Sequence, residues 1–108
     1  MKNFKDGEIK IFWTLSAKND LKKIFDFYNQ YFSNKIAINT IKNILNKVKT
    51  LTFGLELGQK EESLKHLKEG HRYLISKHNK IIYKIENNTA YITHVFDTRQ
   101  SPDKLQKR

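Results

Sequence analysis

The chain has 108 residues, with 21 lysines and arginines against 11 aspartates and glutamates, a formal charge of +10 and no cysteine. So short a chain buries too small a share of its surface to divide its apolar residues between two cores, so one domain over residues 1–108 is expected and a separate regulatory domain is excluded. The missing cysteines exclude disulfides, thiolate metal sites and cysteine nucleophiles, while the positive charge calls for a polyanionic partner, either nucleic acid or an acidic protein surface.

In chain order, Glu8-Ile9-Lys10-Ile11-Phe12-Trp13 sets Ile9, Ile11 and Trp13 on one side at period two, the pattern of a short amphipathic strand. Thr14 or Ser16 can cap the helix that follows, with Asp20 early in it to favour the positive end of the helix dipole. Leu21, Ile24, Phe25, Tyr28, Tyr31 and Phe32 recur at the three and four spacing of one helical face. Ser33-Asn34 breaks that helix, and Ala37, Ile38, Ile41, Ile44, Leu45, Val48 and Leu51 begin a second. So short a joint predicts an antiparallel helical hairpin.

Residues 59–70 read as a polar connector in which Leu64 and Leu67 anchor one helical turn. Three strand-like runs follow, 71–77, 80–86 and 90–96, separated by turns at His78-Asn79 and Asn87-Asn88, which makes an antiparallel meander. The expected fold is therefore α+β: an N-terminal strand, a two-helix hairpin and a three-strand meander, with the helices on one face of the sheet. Parity puts Ile81, Tyr83 and Ile85 toward the helices and leaves Lys80 and Lys84 projecting from an open face. Beyond Phe96 the chain reads as an ordered turn and then, from about residue 103, a frayed basic tail.

Lysine outnumbers arginine 18 to 3, so Arg72, Arg99 and Arg108, whose planar forks grip phosphate or carboxylate, are individually more informative than any one lysine. The second helix has a one-signed polar face, with Lys35, Lys42, Lys47 and Lys49 and no acid between Asp26 and Glu56; such a run is either an anion-facing surface or a solvated one. His66, His71, His78 and His94 show no metal-ligand spacing, and no Gly-rich phosphate loop or serine-hydrolase elbow occurs. The remaining constellation, Arg72, Tyr73, Lys77, Lys80, Lys84, His94 and Arg99, is suited to metal-free RNA cleavage, with His94 as acid or base and Lys80, Arg72 and Arg99 clamping the phosphorane charge. It equally suits packing, ion pairing and protein binding.

Gly58-Gln59-Lys60-Glu61, Arg72-Tyr73-Leu74-Ile75, Lys80-Ile81-Ile82-Tyr83-Lys84-Ile85 and Val95-Phe96-Asp97-Thr98-Arg99-Gln100-Ser101-Pro102 together resemble the ParE branch of the RelE/ParE toxin superfamily. Ile11-Phe12-Trp13-Thr14 with Ala17, Asp20-Leu21, Ile24 and Tyr28 is similar to that family's first strand and helix. The resemblance implies the toxin of a type II toxin-antitoxin pair, neutralised by a cognate antitoxin encoded beside it and acting on DNA gyrase, or, in the RelE-like alternative, on the ribosome and mRNA. Lys80 and Arg99 resemble two basic positions of the nuclease branch, but no tyrosine or histidine follows His94 to act as its terminal acid or base. The ParE-like ending therefore favours gyrase inhibition, with Arg72, Lys80, Lys84, Arg99 and Gln100 as the target-binding or antitoxin-binding set; Lys80, His94 and Arg99 are the catalytic set if the chain is a nuclease. No metal, cofactor or membrane contact is expected, and the cytoplasm is the expected location.

Overall fold

The computed structural model describes residues 8–99. Strand β1 (Lys10–Trp13) leads into helices α1 (Leu15–Tyr31) and α2 (Asn34–Lys49), followed by strands β2 (Gln59–Lys60), β3 (Arg72–Ser76), β4 (Asn79–Glu86) and β5 (Thr89–Asp97). The sheet order is β1-β5-β4-β3-β2. β1 runs parallel to β5 and every other neighbour is antiparallel, so the helical hairpin is the crossover that carries the chain from the sheet's edge back over one face.

Local chemistry sets the element ends. Thr14 caps α1, its Oγ1 accepting from Ala17 N–H at 3.2 Å while donating to the Ile92 carbonyl at 2.8 Å, so one hydroxyl closes a helix and ties it to β5. Ser33 caps α2 by accepting from Ile36 N–H at 3.1 Å; each cap contributes about 1 kcal/mol. Asn87 and Asn88 have φ of 50° and 60°, the left-handed pair of a two-residue hairpin turn. The β3–β4 turn falls one residue earlier than expected, at Lys77-His78, because Ser76 pairs with Asn79 across its base.

The main core lies between hairpin and sheet, where Ile24, Ile44, Val48 and Leu51 meet Leu74, Ile81, Tyr83, Ile92 and Val95. Burial of each aliphatic side chain contributes roughly 1.5–3 kcal/mol. Tyr31, Phe32, Ile38 and Leu45 continue the helices' apolar periodicity but stay exposed. Asp20 does not serve the first turn of α1: it is buried, and its carboxylate accepts from Val95 N–H of β5 at 2.9 Å.

The far face of the sheet is not open. The connector adds β2 as a fifth strand and then a 3-10 segment, Glu62–Leu67, whose Leu64 packs on Ile82, Tyr73 and Phe96 in a second small core. Residue Thr93 is a bulge, since Ile82 pairs with His94 while the adjacent Tyr83 pairs with Ile92. The extra residue lets Ile92 and Val95 both face the helices and sends His94 to the opposite side, opposite Ile82.

Candidate functional site

Lys80, Lys84 and His94 do share one surface, the far face of the sheet, but the connector brings carboxylates to it. Lys80 Nζ lies 2.6 Å from Glu61 Oε1 and 4.2 Å from the centroid of the Tyr73 ring. Burial alone would raise the Glu61 carboxyl; the Lys80 ammonium and two hydrogen bonds from Ser63 outweigh it and hold the group below the usual glutamate range. Lys84 Nζ lies 3.4 Å from Glu69 Oε1, and the same oxygen is 3.7 Å from His71 Nε2. Instead of projecting from a bare face, both lysines are half-buried and paired.

His94 is held by the bulge. Thr93 Oγ1 donates to the Ile82 carbonyl at 3.3 Å, so the 2.8 Å contact to His94 Nδ1 assigns the ring proton to Nδ1 and leaves Nε2 as the lone-pair nitrogen. Burial, with His71 nearby as a lesser cause, pushes His94 down to about 4. At neutral pH the ring is then uncharged, too weak a base to take a hydroxyl proton efficiently and not the imidazolium that could protonate a leaving group. His71 is likewise lowered, chiefly by burial and against the pull of Glu69.

The arginines leave this face. Arg72 opposes core-facing Tyr83, and its guanidinium donates to the Gly58 carbonyl at 2.8 Å. Beside it Tyr83 Oη donates to the Leu55 carbonyl at 2.6 Å and accepts from Gly58 N–H at 2.9 Å. Any Cβ at Gly58 would stand 2.6 Å from that hydroxyl and 2.7 Å from the Tyr73 carbonyl, so Arg72 and Tyr83 together clasp a backbone approach that only glycine permits. Arg99 folds onto Asp97, its Nε donating to Oδ1 at 2.9 Å, and also donates to the Tyr28 hydroxyl of α1 at 3.2 Å. The Arg99 hydrogen bonds hold Asp97 below the usual aspartate range. Gln100 lies outside the described residues.

Sequence reasoning missed Glu61, Glu69 and His71, the partners that convert a basic set into a paired one. The only local signal for them is that acids occur at both ends of the 59–70 segment. No group of three or more histidines and carboxylates among the described residues is placed to hold a metal ion. Lys35, Lys42, Lys47 and Lys49 stand exposed on α2 with no ion pair among the described residues. A groove of about 260 Å³ runs between α2 and the β3–β4 turn, with Ile36, Asn43 and His78 in its walls.

A chain with this order of strands and helices matches a known family along almost its whole length. The family profile described as ParE toxin of type II toxin-antitoxin system fits residues 11–102. The chain belongs to the ParE toxin family. It is thus the toxin component of a type II toxin-antitoxin system. Among solved structures, a chain of the chromosomal ParDE toxin-antitoxin system from P. aeruginosa superposes with a TM-score of 0.71 at 20% identity, covering 84% of this chain and 97% of that one. That likeness confirms the ParE fold. The RelBE2 toxin-antitoxin complex from Mycobacterium tuberculosis gives a TM-score of 0.49 at 18% identity over 83% of this chain and 91% of that one. No curated protein sequence matches. No helix among the described residues of this ParE-family chain is long and apolar enough to cross a membrane.

Proposed function

We propose that this ParE-family toxin arrests growth in the cytoplasm by inhibiting DNA gyrase, and that a cognate antitoxin neutralises it. The observation that carries the choice of target is the state of the far face of the sheet: its cations are already matched by Glu61 and Glu69, and its histidine is depressed to about 4. Ribosome-dependent cleavage of mRNA needs a group that gives a proton to the departing 5′-oxygen; the His94 ring on that face is neutral at physiological pH, and the two ammonium groups beside it are engaged by Glu61 and Glu69. Binding to a protein target needs no such group. Of the four described cations in the target-binding set, Arg72, Lys80, Lys84 and Arg99, only Arg99 is exposed, its side chain 58% exposed against 23% for Lys80 and 30% for Lys84, and it is the first candidate for target contact.

The test is a supercoiling and DNA-cleavage assay on purified gyrase, run beside an mRNA-cleavage assay on translating ribosomes. Inhibition of supercoiling or trapping of cleaved DNA, with mRNA intact, is the expected result. Cleaved mRNA with unaffected gyrase overturns it in favour of the nuclease.

A further inference from the structure

We infer that the solvent face of the helical hairpin, centred on α2, is a binding surface for the phosphate backbone of duplex DNA. The inference goes beyond the gyrase reading and does not depend on it, because the surface meets DNA without the enzyme. Residues 15–49 carry seven lysines against two aspartates, a net +5, so half of the chain's formal charge of +10 lies on one layer of the fold. Asp20 is turned inward, its carboxylate accepting from Val95 N–H at 2.9 Å, and Asp26 is taken by Lys22 of its own helix at 2.8 Å.

On α2 itself Lys35, Asn39, Lys42, Asn46 and Lys49 are all exposed and advance in steps of four, three, four and three residues, so they form one row along the helix axis. Every side chain of the row is a hydrogen-bond donor, and its lysines recur about every 10 Å. The row spans about 21 Å, the length of roughly six base pairs. Nothing in it carries a negative charge, and no acid occurs from residue 27 to residue 55. Lysine and asparagine hold phosphate oxygens without reading sequence. The hairpin has no arginine to fork a guanine, so the binding is indifferent to sequence. An acidic protein would suit the charge but not the layout. Stable protein interfaces keep charge out of a buried apolar centre, whereas here lysines and amides form the middle, and Ile38 and Leu45, 40% and 37% exposed, stand to one side.

The test uses the full chain, a fluorescein-labelled duplex of about 20 base pairs and no gyrase. By fluorescence anisotropy the chain is expected to bind, with log affinity falling against log salt at a slope of roughly −3 or steeper for three engaged lysines. A triple variant, Lys35→Gln with Lys42→Gln and Lys49→Gln, is expected to lose at least about tenfold in affinity at low salt and to flatten that slope by about three. A control triple, Lys60→Gln with Lys65→Gln and Lys68→Gln, removes the same charge from exposed lysines of the connector and is expected to change affinity less than about threefold. Both triples should keep the far-UV circular dichroism of the unaltered chain, and amide shift mapping on that chain should place the duplex on residues 35–49. Equal losses in the two triples, a contact mapped elsewhere, or displacement of the duplex by polyglutamate at equal charge overturns the surface. Supercoiling is scored separately. Duplex binding without gyrase inhibition sinks the gyrase reading alone, and gyrase inhibition without duplex binding sinks the surface alone.

Discussion

The chain carries two populations of cations, and they differ in what surrounds them. On and around the sheet four of the singled-out cations have a fixed partner, while Lys77 is exposed in the β3–β4 turn: Lys80 has Glu61 and the Tyr73 ring, Lys84 has Glu69, Arg72 has the Gly58 carbonyl and Arg99 has Asp97. On α2 four lysines stand in water with no acid beside them. Net charge alone does not separate the two. Lys80, Lys84 and Arg72 hold the fold's own connector in place, whereas the helix lysines have no ion-pair partner among the described residues.

The largest effect that distinguishes the two populations is expected at Lys80. Lys80→Met leaves the Glu61 carboxylate, whose side chain is 4% exposed, without its cation, and a charge stranded in that way costs about 2–4 kcal/mol. Urea unfolding should show the loss, and adding Glu61→Gln should recover much of it, because the two changes act on one interaction. Additive losses in the double variant would mean that the pair does not hold the connector.

Acid should attack the same face next. His94 is depressed to about 4 in the folded protein against an ordinary value of 6.5, so the unfolded chain binds its proton first. Stability conferred by the neutral ring is complete above about pH 6.5 and is lost as pH falls toward 4, by ~3 kcal/mol at most. The lowered His71 adds in the same direction, and the lowered Glu61 and Asp97 carboxylates add further loss at lower pH still. Thermal melts of His94→Gln across that window should show a flatter slope than the unaltered chain. An unchanged slope would place the titration elsewhere.

What could be read from sequence follows the range of the interaction that decides each feature. Thr14, Ser33 and Asn87-Asn88 act on residues within three of themselves, so strand, helix hairpin and last turn were legible, and with them the α+β fold and the ParE resemblance. Lys80 and Glu61 lie 19 residues apart and meet only after β2 has added to β3, which no local pattern announces. The 59–70 segment is too short and too polar for a helical period, and its 3-10 turns bury Leu64 while leaving Leu67 48% exposed. Thr93 becomes a bulge through its pairing with β4, so the side on which His94 emerges was not decidable from alternation along β5 alone. Residue types of the candidate site were thus legible and their partners were not.

The smallest effect is also the one with the opposite sign. Lys42 has exposed lysines one heptad away on either side, Lys35 and Lys49, and no acid to offset them. Like charges about 10 Å apart at the surface repel by only a few tenths of a kcal/mol, and salt near 0.1 M screens much of that because the Debye length is itself about 10 Å. Lys42→Gln is therefore expected to raise the urea midpoint slightly at low ionic strength and to leave it unchanged in 1 M salt. Removing a paired cation destabilises while removing an unpaired one stabilises, so the sign of the change at low salt reports which population a lysine belongs to. A clear loss of stability in Lys42→Gln would show that the helix lysines also have partners within the fold, and would erase the difference between the two populations.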